Sequence, residues 1–231
     1  MKNPKLESVA KKGSIQKQPG ANAWPAWFVP LVIFLLTVIA FLPALENEFV
    51  SWDDDKNLIE NPNYRGLSWT QLRWMFTTFH MGHYQPLSWI TFGLDYLLWG
   101  TKPSGYHLTN LLLHAANAVL FYFVTLRLLS LALTGFLAAL NLGLRVAAGF
   151  AALLFSLHPL RVESVAWATE RRDVLSALFF LLTVFCYLRA AAETSAARRP
   201  WLTMALSCCG LSLLSKASGV VLSIILLIID V

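Results

Sequence analysis

Three adjacent carboxylates, Asp53, Asp54 and Asp55, follow a stretch from Trp24 to Leu45 that carries no charge. Acids at the mouth of an apolar segment can act as general base toward a hydroxyl or help ligate a divalent cation. The plain alternative is a solvated acidic loop. A second constellation lies far downstream: His158-Pro159-Leu160-Arg161-Val162-Glu163, continued by Trp167, Glu170, Arg171, Arg172 and Asp173. On a helix, Glu163, Trp167 and Glu170 share a face. Arg171 and Arg172 carry the forked donors that grip a phosphate. The plain alternative here is a charged turn between helices. His80-Met81-Gly82-His83-Tyr84-Gln85-Pro86 brings histidines close together, but no cysteine or third histidine completes a zinc set. Hydrogen bonding to a polar substrate, or loop structure, suits them better. Lys216, between two apolar runs, either snorkels to an interface or contacts a lipid phosphate.

Positioning these groups calls for membrane helices. The 231 residues are 57% hydrophobic and 13% charged, unlike a soluble domain. Apolar residues come in long blocks with short polar joints, not in the alternation a transmembrane barrel needs. The net charge of +5 is no nucleic-acid footprint. Lys2, Lys5, Lys11, Lys12 and Lys17 crowd the amino terminus, and Arg189, Arg198 and Arg199 a later joint, as cytoplasmic membrane flanks do. Cys186, Cys208 and Cys209 sit in apolar runs and read as small buried hydrophobes.

The fold expected is an all-α membrane protein: a polytopic helical bundle with an outer loop carrying one or two interfacial amphipathic helices. Residues 1–23 read as a disordered basic cytoplasmic tail. Spans are expected near residues 24–45, 108–126, 144–158, 174–189, 200–215 and 219–231. The first run is too long for a signal-peptide core and lacks a small-x-small exit, so it reads as a retained anchor. The positive-inside bias then puts the Asp cluster on the non-cytoplasmic side.

In the outer loop, Ser68 can cap a helix, Gln71 can reach back and Leu67 can staple onto Leu72. Leu72, Met75, Phe76 and Phe79 fall on one face of that helix, and a second helix runs from Leu87 to Trp99, stopped by Gly100. In the second span His107, Asn110, His114 and Asn117 form a polar stripe. It serves interhelical hydrogen bonding or, near His107, substrate contact. The run from Leu128 to Leu144 is ambiguous. A crossing there would invert the sidedness of everything downstream; a hairpin extension, favoured by the flanking Arg127 and Arg145, would not.

Five segments occur in order: Asn47-Glu48-Phe49-Val50-Ser51-Trp52-Asp53-Asp54, His83-Tyr84-Gln85-Pro86-Leu87, Asn110-Leu111-Leu112-Leu113-His114, His158-Pro159 to Asp173, and Ser215-Lys216. Together they resemble the membrane half of the transmembrane and tetratricopeptide-repeat O-mannosyltransferase-like family, within the GT-C glycosyltransferases. The resemblance covers roughly residues 24–231. It implies transfer of a hexose such as mannose, with inversion, from a polyprenyl-phosphate carrier to a protein or glycan hydroxyl. The site would face the non-cytoplasmic side, expected here as the periplasmic face of a bacterial inner membrane. By carry-over Asp53 or Asp54 is the base, Glu163 orients acceptor or carrier, and Arg171 or Arg172 faces the phosphate. His83, His107 and Lys216 join the substrate-binding set. The lipid tail would lie in an apolar groove between interfacial helix and bundle. No resident metal site is implied, although a divalent cation has room.

The chain departs from the family at Gln85, where an arginine is usual, at Ala217-Ser218, and in the inserted stretch Leu131 to Leu144. It reads as the amino-terminal part of a longer membrane domain. Two other function classes remain open: a non-catalytic anchor or assembly scaffold, and a transporter. A transporter predicts repeated spans interrupted at matching positions, and no such repeat is visible.

Overall fold

The computed structural model describes residues 24–133 and 141–230. The basic tail expected at residues 1–23 lies outside them, as does the middle of the ambiguous run before Leu144.

The described chain is a helical bundle. Helix α1 (Phe28–Phe41) runs into a 3₁₀ turn (Leu42–Glu46), and a π-helical turn (Asp55–Ile59) opens the outer loop. The loop carries α2 (Trp69–Thr77) and α3 (Pro86–Trp99). The bundle resumes with α4 (Pro103–Ala132), α5 (Asn141–Ser156) and the short α6 (Arg161–Ala166). A 3₁₀ turn (Ala168–Glu170) leads into α7 (Arg171–Ala191), followed by α8 (Ser195–Ser215) and α9 (Val221–Asp230). No β-strand occurs among the described residues.

Phe28–Glu46, Pro103–Ala132 and Ala168–Ala191 are long and apolar enough to cross a membrane; Leu142–Ser156 and Ala217–Ile229 are shorter apolar helices. The outward face of α1 shows Leu31, Leu35, Leu36 and Ile39 to its surroundings. A contiguous apolar face of that kind fits hydrocarbon rather than water. Arg198, Arg199 and Pro200 occupy the early turns of α8, where a span was expected to begin.

The direction of α5 decides where the downstream acids emerge. Arg145 Nη1 donates to the Trp24 carbonyl at 2.8 Å, at the start of α1. At the other end Thr37 Oγ1 lies 3.1 Å from Ser156 Oγ. Helix α5 therefore begins and finishes at the same ends of the bundle as α1. Ala148 and Ala152 of α5 bury against Ile33, Ala118 and Tyr122, their small side chains letting the helices approach. The segment after Ser156 thus emerges beside the Asp cluster.

The outer loop has its own core. Leu58, Tyr64, Met75, Trp89, Phe92 and Tyr106 are buried together. A Cβ on Gly93 of α3 would meet the Gly66 carbonyl at 2.8 Å, so a glycine is what lets the preceding loop pack on this helix. Gly100 ends α3 at a φ of 63°, the backbone region glycine enters without strain. Helix α2 splits its expected apolar face: Met75 is buried, but Phe76 and Phe79 are exposed along with Trp69. The Ser68 hydroxyl contacts the Gln71 side chain rather than a backbone amide.

Candidate active site

The acids Asp53 and Asp54 have opposite environments. The Asp54 side chain is sealed from solvent. Its Oδ1 accepts from the Thr169 amide at 2.9 Å and the Thr169 hydroxyl at 2.5 Å. Its Oδ2 accepts from the Val50 amide at 3.0 Å. Asp54 therefore ties the first outer loop to the turn before α7, across 115 residues of sequence. Asp53 is only partly buried, and its carboxylate has no hydrogen-bond or ion-pair partner among the described residues.

Glu163 of α6 is exposed. It lines a cavity of about 300 Å³ together with Asn47, Val50, Trp52 and Trp167. An apolar groove of about 520 Å³, bounded by Phe41, Pro43, Leu157 and Pro159, shares Asn47, Val162 and Ala166 with that cavity. The pair forms a path from the membrane-facing side of α1 to the polar mouth. The lining differs from the groove expected between interfacial helix and bundle: it is made by the ends of α1 and α5 and by α6.

Beyond Thr169 stands a balanced cluster of charge. Glu170 accepts from Arg172 Nε at 3.1 Å and from its terminal nitrogen as well. Lys216 pairs directly with Asp173, and its Nζ lies 3.6 Å from Glu170 Oε2. The Lys216 side chain is 32% exposed and so within reach of a ligand. A cavity of about 310 Å³ adjoins this cluster, walled by Phe121, Phe155 and Phe180, with Asp173 and Ser218 at its edge. Since Thr169 and Glu170 are consecutive, the outer loop, the segment after His158-Pro159 and the Ser215-Lys216 break all converge on one turn.

Arg171 faces elsewhere. Its side chain is fully buried and ion-paired to Asp95 of α3 at 2.6 Å. Its Nε donates to Asn110 Oδ1 at 2.5 Å and its Nη2 to the Tyr106 carbonyl at 2.8 Å. The guanidinium also lies over the Phe92 ring, 4.8 Å from its centroid. This arginine brackets α3, α4 and α7 and is not presented to an outer ligand, unlike the phosphate contact read from the motif. Neither histidine in the expected substrate set reaches the two clefts. His107 is fully buried beside Phe49, against the backbone of Asn47 and Glu48. His83 is exposed in a tight turn closed by its amide on the His80 carbonyl at 2.9 Å.

The polar stripe of α4 is turned inward. Asn110 Nδ2 donates to the Trp167 carbonyl at 3.0 Å, Asn117 Nδ2 to the Val174 carbonyl at 2.8 Å, and His114 Nε2 meets the Ser156 carbonyl at 2.9 Å. It thus ties α4 to the end of α5, to the turn after α6 and to the first turn of α7. Asp95 and Thr169 were not singled out from sequence. Asp95 is detectable as the lone acid in an otherwise apolar helix; Thr169 carries no such signal. No group of three or more His, Cys, Asp or Glu side chains gathers to hold a metal among the described residues. A divalent cation at this mouth would draw most of its oxygen ligands from phosphate and water.

No protein-family model matches the chain, and no solved structure does. Curated relatives do. The chain is 33% identical over 186 residues to human protein O-mannosyl-transferase TMTC4, covering 76% of this chain and 25% of that protein. It is 32% identical over 212 residues to mouse protein O-mannosyl-transferase TMTC2, covering 87% and 24%. Against Drosophila melanogaster protein O-mannosyl-transferase Tmtc3 the identity is 34% over 151 residues, covering 61% and 16%. The chain thus spans about a quarter of the length of the first two relatives. With similarity at this level along most of its length, the chain belongs to the transmembrane and tetratricopeptide-repeat protein O-mannosyl-transferase family.

Proposed function

We propose that this chain is the membrane-embedded part of a glycosyltransferase that moves a hexose, mannose by the names of its relatives, from a polyprenyl-phosphate carrier to a hydroxyl of a protein or glycan on the non-cytoplasmic side. The observation that carries this reading is the convergence on Thr169–Glu170. A sugar transferase of this kind needs a free carboxylate, a cationic phosphate contact and an apolar slot within reach of one another, and the three motifs meeting there supply them.

Asp53 is the base in this reading, because Asp54 already accepts three hydrogen bonds while Asp53 is open. The acceptor hydroxyl enters past Trp52 and Glu163, and Glu163 orients it. As the sugar–phosphate bond breaks, negative charge grows on the carrier phosphate, and a cation there lowers the barrier. Lys216 supplies it, releasing Asp173 as the phosphate arrives; Arg172 stands behind, paired with Glu170. Either the aromatic cavity beside α7 or the apolar groove beside α6 can take the first isoprene units.

The test uses the full-length protein in lipid nanodiscs with a mannosyl polyprenyl phosphate and a threonine-containing acceptor peptide. Asp53→Asn is expected to lower kcat by about 10²-fold or more, with the protein still folded in the bilayer. A second reading, a non-catalytic scaffold, draws support from the mutual neutralisation of Glu170, Arg172, Asp173 and Lys216. Undiminished transfer by Asp53→Asn would favour it.

A further inference from the structure

Helix α3 of the outer loop grips both segments that carry the cations of the rim. Ser88 and Asp95 stand two turns apart on it and so share a face. Asp95 holds Arg171, the residue before Arg172, at 2.6 Å. Ser88 is fully buried and donates its hydroxyl to the Ser215 carbonyl at 3.2 Å, across 127 residues of sequence. Ser215 is the last residue of α8, and Lys216 follows it.

That carbonyl governs where the lysine starts. It belongs to the last turn of a helix, where carbonyls have no donor within their own helix. The Ser215 hydroxyl turns back to the Leu211 carbonyl at 2.8 Å. The chain leaves the helix at Lys216 in an extended conformation, φ −155° and ψ 135°, and enters a 3₁₀ turn (Ala217–Val220). The reversal is tight. The Gly219 amide meets the Lys216 carbonyl at 3.1 Å, and a Cβ on Gly219 would lie 3.0 Å from Ser212 Oγ. Ser212 Oγ in turn donates to the Ser176 carbonyl of α7 at 3.0 Å. The break is thus fastened to the bundle through Ser176 and Ser212, and to the outer loop through Ser88. Because the peptide unit joining Ser215 to Lys216 is planar, the direction of its carbonyl fixes the direction from which Lys216 sets out.

We infer that Ser88 is a positioning residue for Lys216, its hydroxyl registering the outer-loop helix against the Ser215–Lys216 break. The inference rests on the reading of Lys216 as the cation for the carrier phosphate. With the hydroxyl in place, Nζ stands against Asp173, at the edge of the aromatic cavity. Without it, a buried carbonyl loses its donor, and the peptide plane turns toward another and carries Lys216 with it. A misplacement of about 1 Å is enough to weaken a contact on a reacting group severely.

The test separates positioning from packing. The full-length protein in nanodiscs is assayed with a mannosyl polyprenyl phosphate and a threonine-containing acceptor peptide. Ser88→Ala should raise KM for the lipid-linked sugar roughly fivefold, with a smaller change in kcat. On a Lys216→Met background the same substitution should leave KM unchanged, because the side chain it positions is gone. If Ser88→Ala does not survive solubilisation, Ser88→Cys takes its place; the thiol fills the site but is a weak donor, and the same pattern is expected. An unchanged KM in the Ser88 variant, or an equal rise on both backgrounds, overturns the inference and leaves the phosphate contact standing, provided Lys216→Met alone raises KM. A wild-type KM in Lys216→Met removes that contact and the inference with it.

Discussion

Arg171 and Arg172 sit side by side in sequence at the start of α7, yet one closes a sealed bracket with Asp95 and the other belongs to a rim with Glu170, Asp173 and the partly exposed Lys216. The bracket lies between three helices and excludes water; the rim borders a cavity. Asp53 and Asp54 repeat the division one loop away. A charge shut away from solvent and held by partners inside the protein ties segments together. A charge with a solvent-facing edge can exchange its partner for a ligand. Within each motif, the structural and chemical roles fall on adjacent residues.

The sharpest way to break this division is to compare stabilities. Arg171→Met leaves Asp95 buried and unpaired, and removing one partner of a buried pair costs about 3–5 kcal/mol. The loss should appear as a large drop in the thermal midpoint of the detergent-solubilised protein, with partial recovery in the Asp95→Asn, Arg171→Met double variant. Arg172→Met should cost roughly 1–2 kcal/mol or less, since its side chain keeps contact with solvent. Equal losses would mean that the rim is as structural as the bracket.

The acid pair gives the next comparison. Asparagine at position 54 offers one acceptor oxygen where the carboxylate offers two, and turns an N–H toward either Val50 or Thr169. That mismatch should cost about 1–3 kcal/mol. Asp53→Asn should change stability by less than about 0.5 kcal/mol while removing transfer. If Asp54→Asn proves stable and inactive, and Asp53→Asn fully active, the roles assigned to the two acids are exchanged.

Much of this was legible in the sequence because it rests on periodicity. The helices fall where apolar runs and breakers put them, down to the Gly100 stop. The inward turn of the His107–Asn110–His114–Asn117 stripe follows from its spacing and the cost of showing polar groups to lipid. What was not legible is the division of labour inside dense clusters. Nothing local separates Arg171 from Arg172 or Asp53 from Asp54, because side-chain direction at such positions is set by partners up to 115 residues away. The direction of α5 was likewise open. It is fixed by Arg145 and Ser156, neither of which reports its partner from sequence.

A smaller effect sharpens the rim. Lys216→Met removes the only lysine of the cluster but leaves Arg172 on Glu170. It should raise KM for the lipid-linked sugar roughly tenfold, equivalent to about 1.4 kcal/mol, with a lesser change in stability because the side chain is about a third exposed. A fall in stability comparable to Arg171→Met, with KM unchanged, would move Lys216 into the bracket's class.

The smallest effect distinguishes the regions by pH. Asp95 belongs to α3, outside the stretches able to cross a membrane. Burial pushes its carboxyl above the ordinary value of 3.8, with Arg171 and the Thr109 hydroxyl pulling the other way. An acid raised in the folded state binds its proton more tightly folded than unfolded. Its stabilising contribution is therefore complete below the ordinary value and is lost as pH rises through the raised one. Wild-type stability should thus carry a downward component with rising pH beginning near about pH 4. Asp95→Asn has no proton to exchange, so that component should vanish from its pH profile even though the variant is less stable throughout. Lys216→Met should retain it, because the rim charges are not the source. Thermal midpoints across this range at fixed ionic strength separate the outcomes. A slope that survives in Asp95→Asn and disappears in Lys216→Met would reverse the assignment, making the rim the region where protonation and folding are coupled.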